Sequence, residues 1–114
     1  MNNTKPYIHE DKRRTIIEWI QDMPFRATKV VKTKGKVILG KHYHNNKDEV
    51  YFVLKGKGIF TLSGKRNFRT WLFENESVFI PRGVIHTFEL WPDTILLGVA
   101  TERFDPNDEI QVTE

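Results

Sequence analysis

Three of the four histidines belong to a pattern that could bind a metal ion. His42 and His44 lie two residues apart on a predicted strand, so their side chains share one face, about 6.6 Å apart along the backbone. Because metal–nitrogen bonds are about 2.0–2.1 Å long, two imidazoles that lean inward from such a pair can meet on one ion. The polar turn 45–48 returns Glu49 beside them, and His86 arrives from a later strand. The spacing predicts one divalent transition metal per chain, bound by His42, His44, Glu49 and His86.

The charge of Glu49 favours the same hypothesis. A buried carboxylate facing His42 and His44 needs a positive partner to offset its desolvation, and a metal ion would supply one. Imidazole and carboxylate ligands suit Mn, Fe, Co, Ni, Cu and Zn, so the residues do not select the metal. Three imidazoles and one carboxylate leave one or two coordination positions open for water or substrate. The alternative is that the histidines are hydrogen-bonded interior residues that hold no metal.

The composition excludes several other kinds of site. The 114 residues include no cysteine, which rules out disulfide frameworks, thiolate zinc sites, iron–sulfur clusters and cysteine nucleophiles. The 18 Lys and Arg residues outnumber the 15 Asp and Glu residues, but they are scattered, and the densest run is Lys12-Arg13-Arg14. We therefore expect no nucleic-acid partner. No apolar stretch approaches the roughly 20 residues of a membrane span, and the first residues are polar, so we expect a cytoplasmic protein with no membrane partner.

The elements that position these residues are predicted to be strands. From residue 14 onward, short β-branched and aromatic runs are separated by Gly, Asn or Pro, and no long run has helical periodicity. The predicted strands are 15–20, 26–34, 37–43, 49–55, 58–63, 67–73, 77–80, 84–91 and 94–101. The short turns at 34–36, 55–58, 63–66 and 91–93 favour sequential hairpins.

Nine short strands predict a single all-β domain, either a two-sheet sandwich or a small closed barrel, over residues 14–104. We expect residues 1–13 to be a loose arm and residues 105–114 to be an acidic tail. The run 49–54 is apolar on both faces after its first residue. One face would fill the barrel, and the other would pack under another sheet or a second subunit. This pattern predicts a homodimer.

The spacing of the candidate ligands resembles the two sequence motifs of the cupin superfamily. The first motif is His-x-His, three or four residues, Glu, six residues and Gly, and the second is Pro-x-Gly-x-x-His. The matching residues in this chain are His42, His44, Glu49 and Gly56, then Pro81, Gly83 and His86. The resemblance covers residues 26–101. It implies a double-stranded β-helix, or jelly-roll barrel, that holds a divalent metal through three His and one Glu.

The flanking sequence resembles cupins that act on sugars. Residues 74–86 are similar to part of the type II phosphomannose isomerase domain, and residues 40–44 to small cupins of sugar-nucleotide and cell-surface polysaccharide synthesis. Pro24 and Phe25 resemble the entry to ketoisomerases of deoxythymidine-diphosphate sugars, although those enzymes carry a non-ligating residue where this chain has Glu49. The resemblance implies an isomerase or epimerase of a phosphosugar or nucleotide sugar. Two alternatives stay open: a small-molecule dioxygenase with Fe(II) on the same ligands, and a non-catalytic cupin that binds a sugar or metabolite.

Isomerisation by proton abstraction beside a carbonyl needs a base, and it needs a group that holds the enolate oxygen. A metal would supply the second group. The catalytic candidates nearest the ligands by strand position are Tyr51, Tyr43, Lys41 and Glu89. Without a metal, His42 or His44 would be the base and Tyr51 the acid.

Substrate contacts are predicted from charge and from strand faces. Arg82, Arg69, Arg103 and Lys41 could bind a phosphate through charge-assisted hydrogen bonds, and Arg82 is the first choice. Phe88 shares the strand face of His86 and would give a sugar-like ligand a partly apolar pocket.

Overall fold

The computed structural model describes residues 6–20 and 23–113. Within these ranges the chain forms eleven strands and one short 3-10 helix, Pro106–Asp108. The strands are β1 (Tyr7–Glu10), β2 (Thr15–Glu18), β3 (Ala27–Lys32), β4 (Val37–Tyr43), β5 (Glu49–Lys55), β6 (Gly58–Ser63), β7 (Asn67–Leu72), β8 (Ser77–Ile80), β9 (Ile85–Leu90), β10 (Ile95–Ala100) and β11 (Ile110–Gln111). The bounds of β4, β5, β6 and β8 agree residue for residue with those predicted. Over the same ranges, no helix is long and apolar enough to span a membrane.

Two antiparallel sheets enclose the core. One has four strands in the order β3-β10-β5-β8, and the other has five in the order β11-β4-β9-β6-β7. Each sheet joins strands from distant parts of the sequence, which is the arrangement of a jelly roll. The all-β jelly-roll prediction is confirmed.

The expectation of sequential hairpins is wrong for most of the turns. Only the turn at 63–66 joins two paired neighbours, β6 and β7. The turns at 34–36, 55–58 and 91–93 carry the chain from one sheet to the other. A short turn fixes a reversal of the chain but not the partner of the strand that follows. That partner is chosen by the apolar faces, which must meet between the sheets.

The core lies between the inner faces of the two sheets. In β9 the residues alternate, so that His86, Phe88 and Leu90 are buried and those between them are half-buried. The buried apolar side chains form one cluster of Tyr51, Val53, Phe60, Leu72, Val78, Ile80, Phe88, Leu90 and Leu96. Burial of a large apolar side chain contributes roughly 1.5–3 kcal/mol, so this cluster fixes which residues of each strand face inward.

Strand β5 is covered on both faces over most of its length, as its pattern predicts. Tyr51 and Val53 belong to the core, whereas Phe52 faces the other way and is 3% exposed. The ring of Trp19 lies over Phe52, with 5.0 Å between ring centroids. The outer face is not completely covered, because Val30 and Leu54 remain 58% and 47% exposed.

Both ends of the chain contain more secondary structure than predicted. Within the segment expected as an arm, β1 pairs with β2 in a separate two-stranded sheet, and residues 1–5 lie outside the described part of the chain. Within the segment expected as a tail, the 3-10 helix leads into β11, which pairs with β4. The five-stranded sheet therefore includes residues beyond 104. The two-residue β11 is too short to show a periodicity, and the charged residues around β1 give no strand signal.

Candidate metal centre

A one-residue bulge in β4 places the first two histidines on the inner face. Pairing between β4 and β9 runs from Val37 to Gly40 and resumes at His42, which lies opposite His86. Lys41 is the extra residue. Beyond an inserted residue, the side chains that would have pointed outward point inward, and the reverse. Residues before the bulge, such as Leu39, pack against the core at odd positions, and the inward positions after it are even.

Gly40 makes this bulge possible. Its φ is +96°, and Lys41 follows with a φ of +68°. Both values lie in the left-handed region that favours glycine. A Cβ atom built on Gly40 would lie 2.6 Å from the main-chain oxygen of His86, closer than real Cβ atoms approach such an atom. The position therefore requires glycine for its backbone conformation and for its packing.

The three histidine rings converge at the end of the barrel. His42 and His86 are paired residues of β4 and β9, and His44 follows directly after β4. Ring centroids are 5.0 Å apart for His42 and His44, 4.5 Å for His42 and His86, and 5.4 Å for His44 and His86. Candidate ligand nitrogens from the three rings all lie within 4.8 Å of one another. His44 and His86 are buried, and His42 is half-buried.

Main-chain carbonyls orient two of the rings. His44 Nδ1 lies 2.8 Å from the carbonyl oxygen of Asp108, and His86 Nδ1 lies 3.1 Å from that of Val84. A carbonyl oxygen can only accept, so each Nδ1 carries the donated proton. In the neutral ring this leaves Nε2 unprotonated, which is the state a metal ligand requires.

Glu49 enters the cluster from the opposite sheet, as the first residue of β5. Its Oε1 atom lies 3.4 Å from His44 Nε2 and 3.6 Å from His86 Nε2. This atom is buried and has no hydrogen-bond partner among the described residues. A buried carboxylate oxygen facing two imidazole nitrogens without a hydrogen bond is the donor set that a divalent cation would complete. The three histidines fit a metal ion, and Glu49 adjoins two of them, His44 and His86.

The second oxygen of Glu49 already has positive and polar partners. Its Oε2 accepts a hydrogen bond from the Tyr51 hydroxyl at 3.2 Å, and Lys47 Nζ lies 3.9 Å away. Lys47 is 4% exposed, although it lies in a polar turn. A positive partner for Glu49 is therefore present in the chain itself. The case for a metal rests on the unpartnered Oε1 atom rather than on the charge of Glu49 alone.

Burial and neighbouring charges set the protonation of the cluster. Burial raises the pKa of Glu49, but the close approach and charge of His44, with the charges of His86 and Lys47, lower it to about 2. Burial lowers the pKa of His86 to about 4 and also lowers the pKa of His42. At neutral pH, Glu49 is therefore ionised, and His42 and His86 are neutral, as metal ligands must be.

The pKa values of His44 and Tyr51 are raised instead. Burial lowers the pKa of His44, but the close approach of Glu49 and the hydrogen bond to the Asp108 carbonyl outweigh it, so the pKa is raised. A proton and a metal ion would thus compete for His44 Nε2. Burial, followed by the charge of Glu49, raises the pKa of Tyr51, which keeps the hydroxyl protonated.

The structure brings two of the other predicted residues to the cluster. Tyr51 contacts Glu49, and Phe88 lies next to His86 with 5.6 Å between ring centroids. The Tyr51 and Phe88 rings also pack edge to face at 4.9 Å. Together they form an apolar wall beside the ligands.

The other predicted residues lie away from the inner face that carries the candidate ligands. Lys41 is exposed in the bulge, and alternation along the strand turns the half-buried Tyr43 away from the inner face. Arg69 lies on the outer face of the five-stranded sheet, with NH2 4.0 Å from Glu89. Arg82 begins the turn before β9, where its main-chain N and Nε atoms both donate to Asp48.

Two residues near the cluster were not predicted, namely Lys47 and Asp108. Asp108 is 6% exposed and its carbonyl holds His44. The run Asp105-Pro106-Asn107-Asp108 indicated only the end of a strand. Its Asp-Pro pair is also typical of a helix start, with a capping side chain followed by proline at the first helical position. That signal could have identified the 3-10 helix, but not its contact with His44.

Comparisons with known proteins agree with this geometry. Residues 30–93 match the family model described as the Cupin domain. A segment of 72 residues is 33% identical to an uncharacterized protein of Aquifex aeolicus, which covers 62% of this chain and 57% of that protein.

Among solved structures, a 3,4-ketoisomerase from Helicobacter canadensis superposes with a TM-score of 0.84 at 19% identity, over 96% of this chain and 88% of that one. The rmlC epimerase of Mycobacterium tuberculosis superposes with a TM-score of 0.83 at 16% identity, over 94% of this chain and 66% of the epimerase. These likenesses establish a shared fold.

Proposed function

Because the chain belongs to the cupin domain family, we propose that it is a metal-dependent isomerase or epimerase of a phosphosugar or nucleotide sugar. The observation that carries the metal dependence is the buried Glu49 Oε1 atom, which lacks a hydrogen bond and faces His44 and His86. The sugar chemistry is supported by the structural likeness to sugar-nucleotide epimerases and ketoisomerases.

His42, His44, Glu49 and His86 would hold one divalent ion, and the residues do not distinguish Zn, Mn, Fe, Ni, Co and Cu. When bound, the ion supplies an electrophile for the oxygen of a substrate enolate. The ordered Nδ1 contacts of His44 and His86 keep both Nε2 atoms aimed into the site. Little reorganisation would therefore accompany binding.

We assign Tyr51 the role of proton donor. Its hydroxyl is protonated at neutral pH, lies within the cluster and is oriented by the 3.2 Å hydrogen bond to Glu49. Phe88 beside it excludes water from the same wall. Lys41 and Tyr43 lie off the inner face of β4, and we assign them no step.

A second candidate is the same isomerisation without a metal. The 3.4 Å approach of His44 to Glu49 and the raised pKa of His44 favour this alternative. His44 would then act as the base, with Glu49 stabilising its charged form and Tyr51 acting as the acid.

We propose that Arg82 receives the phosphate of the substrate. Its guanidinium is 53% exposed and held by Asp48, so it is presented at a fixed position. Arg82 borders a cleft of about 830 Å³ between β7 and β8, which is also lined by Lys65, Arg66, Phe68 and Val84. The four candidate ligands lie outside the lining of this cleft. Cations around an apolar cleft suit a ligand with an anionic group and a less polar body.

Solvent deuterium exchange tests the proposed function. The protein is incubated in D₂O with thymidine-diphosphate keto sugars and ketose phosphates, and deuterium at the carbon beside the carbonyl is followed by NMR. We expect exchange by the metal-loaded chain, falling by at least about 100-fold after chelation. As a matched control, Arg69→Gln on the outer face should leave the rate unchanged, whereas Arg82→Gln should raise KM.

Each other outcome points to a different function. Exchange that survives chelation would support the His44 mechanism. Saturable sugar binding without exchange would indicate a binding module, and oxygen consumption by the iron-loaded chain would indicate a dioxygenase. No exchange and no binding across both substrate classes would refute the proposal.

We also propose that the chain forms a homodimer through the outer face of the four-stranded sheet. Val30 and Leu54 are exposed there next to the covered Phe52, and Tyr7 and Ile8 of β1 are more than half exposed. Apolar surface of this kind is typical of an interface. Light scattering should give twice the mass of one chain, and the mass of a single chain would contradict the dimer.

A further inference from the structure

The segment after Phe104 folds back onto the histidine end of the barrel. Its 3-10 helix begins at Pro106, and the Asp105 side chain accepts a hydrogen bond from the main-chain N of Asn107. β11 then pairs with His42 and Tyr43 of β4. We call residues 105–112 the C-terminal strap. The strap lies beyond the part of the chain that matches the family model, which ends at residue 93.

Asp108 contacts the ring of His44 and the two residues that follow it. Its carbonyl oxygen accepts from His44 Nδ1 at 2.8 Å. Its carboxylate accepts from the main-chain N of Asn45 at 2.9 Å and from that of Asn46 at 3.0 Å. Asp108 is only 6% exposed, so its contact with His44 is buried and its contacts with the loop are partly shielded from water. One residue of the strap thereby holds the ring of His44 and the loop that follows it.

We propose that Asp108 is the positioning residue for His44. The carboxylate anchors the strap to the loop, and the anchored strap presents its carbonyl to Nδ1. This contact fixes the ring orientation and the Nδ1-protonated tautomer, so that Nε2 faces Glu49 and His86. The inference rests on the proposed function, since it takes His44 to be a metal ligand.

The opposite histidine does not depend on the strap. His86 Nδ1 is held by the carbonyl of Val84, two residues earlier on the same segment. Loss of the Asp108 contact should therefore alter the tautomer of His44 and leave that of His86 unchanged. If Asp108 only capped the loop, its loss would lower stability but would leave the tautomers of both His44 and His86 unchanged.

Two variants and one control test the proposal in the full-length chain. Asp108→Ala removes both carboxylate contacts, and Asp108→Asn keeps the volume while placing an amide N–H against a main-chain N–H. Asp105→Asn changes the exposed cap of the same 3-10 helix without touching the His44 loop. The readouts are Zn²⁺ affinity by calorimetry and the ring nitrogen shifts of His44 and His86 by long-range ¹H–¹⁵N NMR on metal-free protein.

We expect Asp108→Ala to weaken Zn²⁺ binding about 10- to 100-fold, the range found for residues that orient a metal-bound histidine. The His44 shifts should move toward a mixture of tautomers, with His86 and the Asp105→Asn variant unchanged. If Asp108→Ala does not fold, Asp108→Asn decides, with a shift of the His44 tautomer as the expected result.

Wild-type affinity together with an unchanged His44 tautomer in the folded variant would overturn the proposal. If the wild-type chain binds no Zn²⁺, the metal dependence in the proposed function fails. The tautomer of His44 in metal-free protein still decides the role of Asp108, so the two failures are distinguishable.

Discussion

Replacing His44 with alanine is expected to reduce the bound metal from about one ion per chain to nearly none. His44 supplies a buried Nε2 that its carbonyl contact leaves unprotonated, and the other candidate ligands cannot fill its place. Removing one of four ligands should weaken binding by at least about 100-fold. Elemental analysis of protein purified without chelators, and Zn²⁺ titration of the metal-free form, measure this loss.

The same substitution should remove the stabilisation that metal gives to the fold. A ligand present at about 100 times its dissociation constant stabilises the folded state by about 2.7 kcal/mol, so metal should raise the melting temperature of the wild type and not of His44→Ala. His9→Ala is the matched control, because His9 is exposed and its ring contacts Asp11 rather than the cluster. Equal metal content in His44→Ala and His9→Ala would remove His44 from the site.

Gly40→Ala is expected to lower the free energy of unfolding by about 3 kcal/mol or more. A φ of +96° is strained for any residue with a Cβ, at about 1–2 kcal/mol. The added Cβ would also overlap the main-chain oxygen of His86, 2.6 Å away, and backbone atoms cannot move aside cheaply. Urea denaturation of the metal-free protein measures the loss.

Gly35→Ala is the matched control for this prediction. A Cβ on Gly35 would meet nothing within 4 Å, so the change should stay within about 0.5 kcal/mol. Because the displaced atom belongs to His86, Gly40→Ala should also weaken metal binding in whatever fraction stays folded. Equal stability of the two alanine variants would contradict the geometry of the bulge.

The strands, and the convergence of the three histidines with Glu49, could be predicted because each has a local signal. The spacing of the histidines and Glu49 indicates their relative positions once a strand and a turn are assumed. The run of apolar residues in β5 indicates that both of its faces are covered. The turns between the sheets were misread because their residues are compatible with either a hairpin or a crossover. The choice between these depends on contacts between residues far apart in sequence.

The contacts around the ligands could not be predicted for the same reason. Lys47 lies in a polar turn, but the fold buries it beside Glu49 and the ring of Phe104, whose centroid is 5.9 Å from Nζ. Asp108 is 64 residues away from the histidine that it holds. In both cases the sequence contains the residue, but only the fold supplies its partner.

The bulge at Lys41 makes this end of the barrel sensitive to chain length as well as to the glycine at position 40. Before the bulge the odd-numbered residues Val37 and Leu39 face the core, and after it the even-numbered residues His42 and His44 face inward. Side chains at the even positions can therefore be exchanged during evolution without disturbing the packing before the bulge. A single deletion between residues 40 and 42, by contrast, would turn both histidines outward at once. The ligand set can drift by substitution, but an insertion or deletion here erases it in one step.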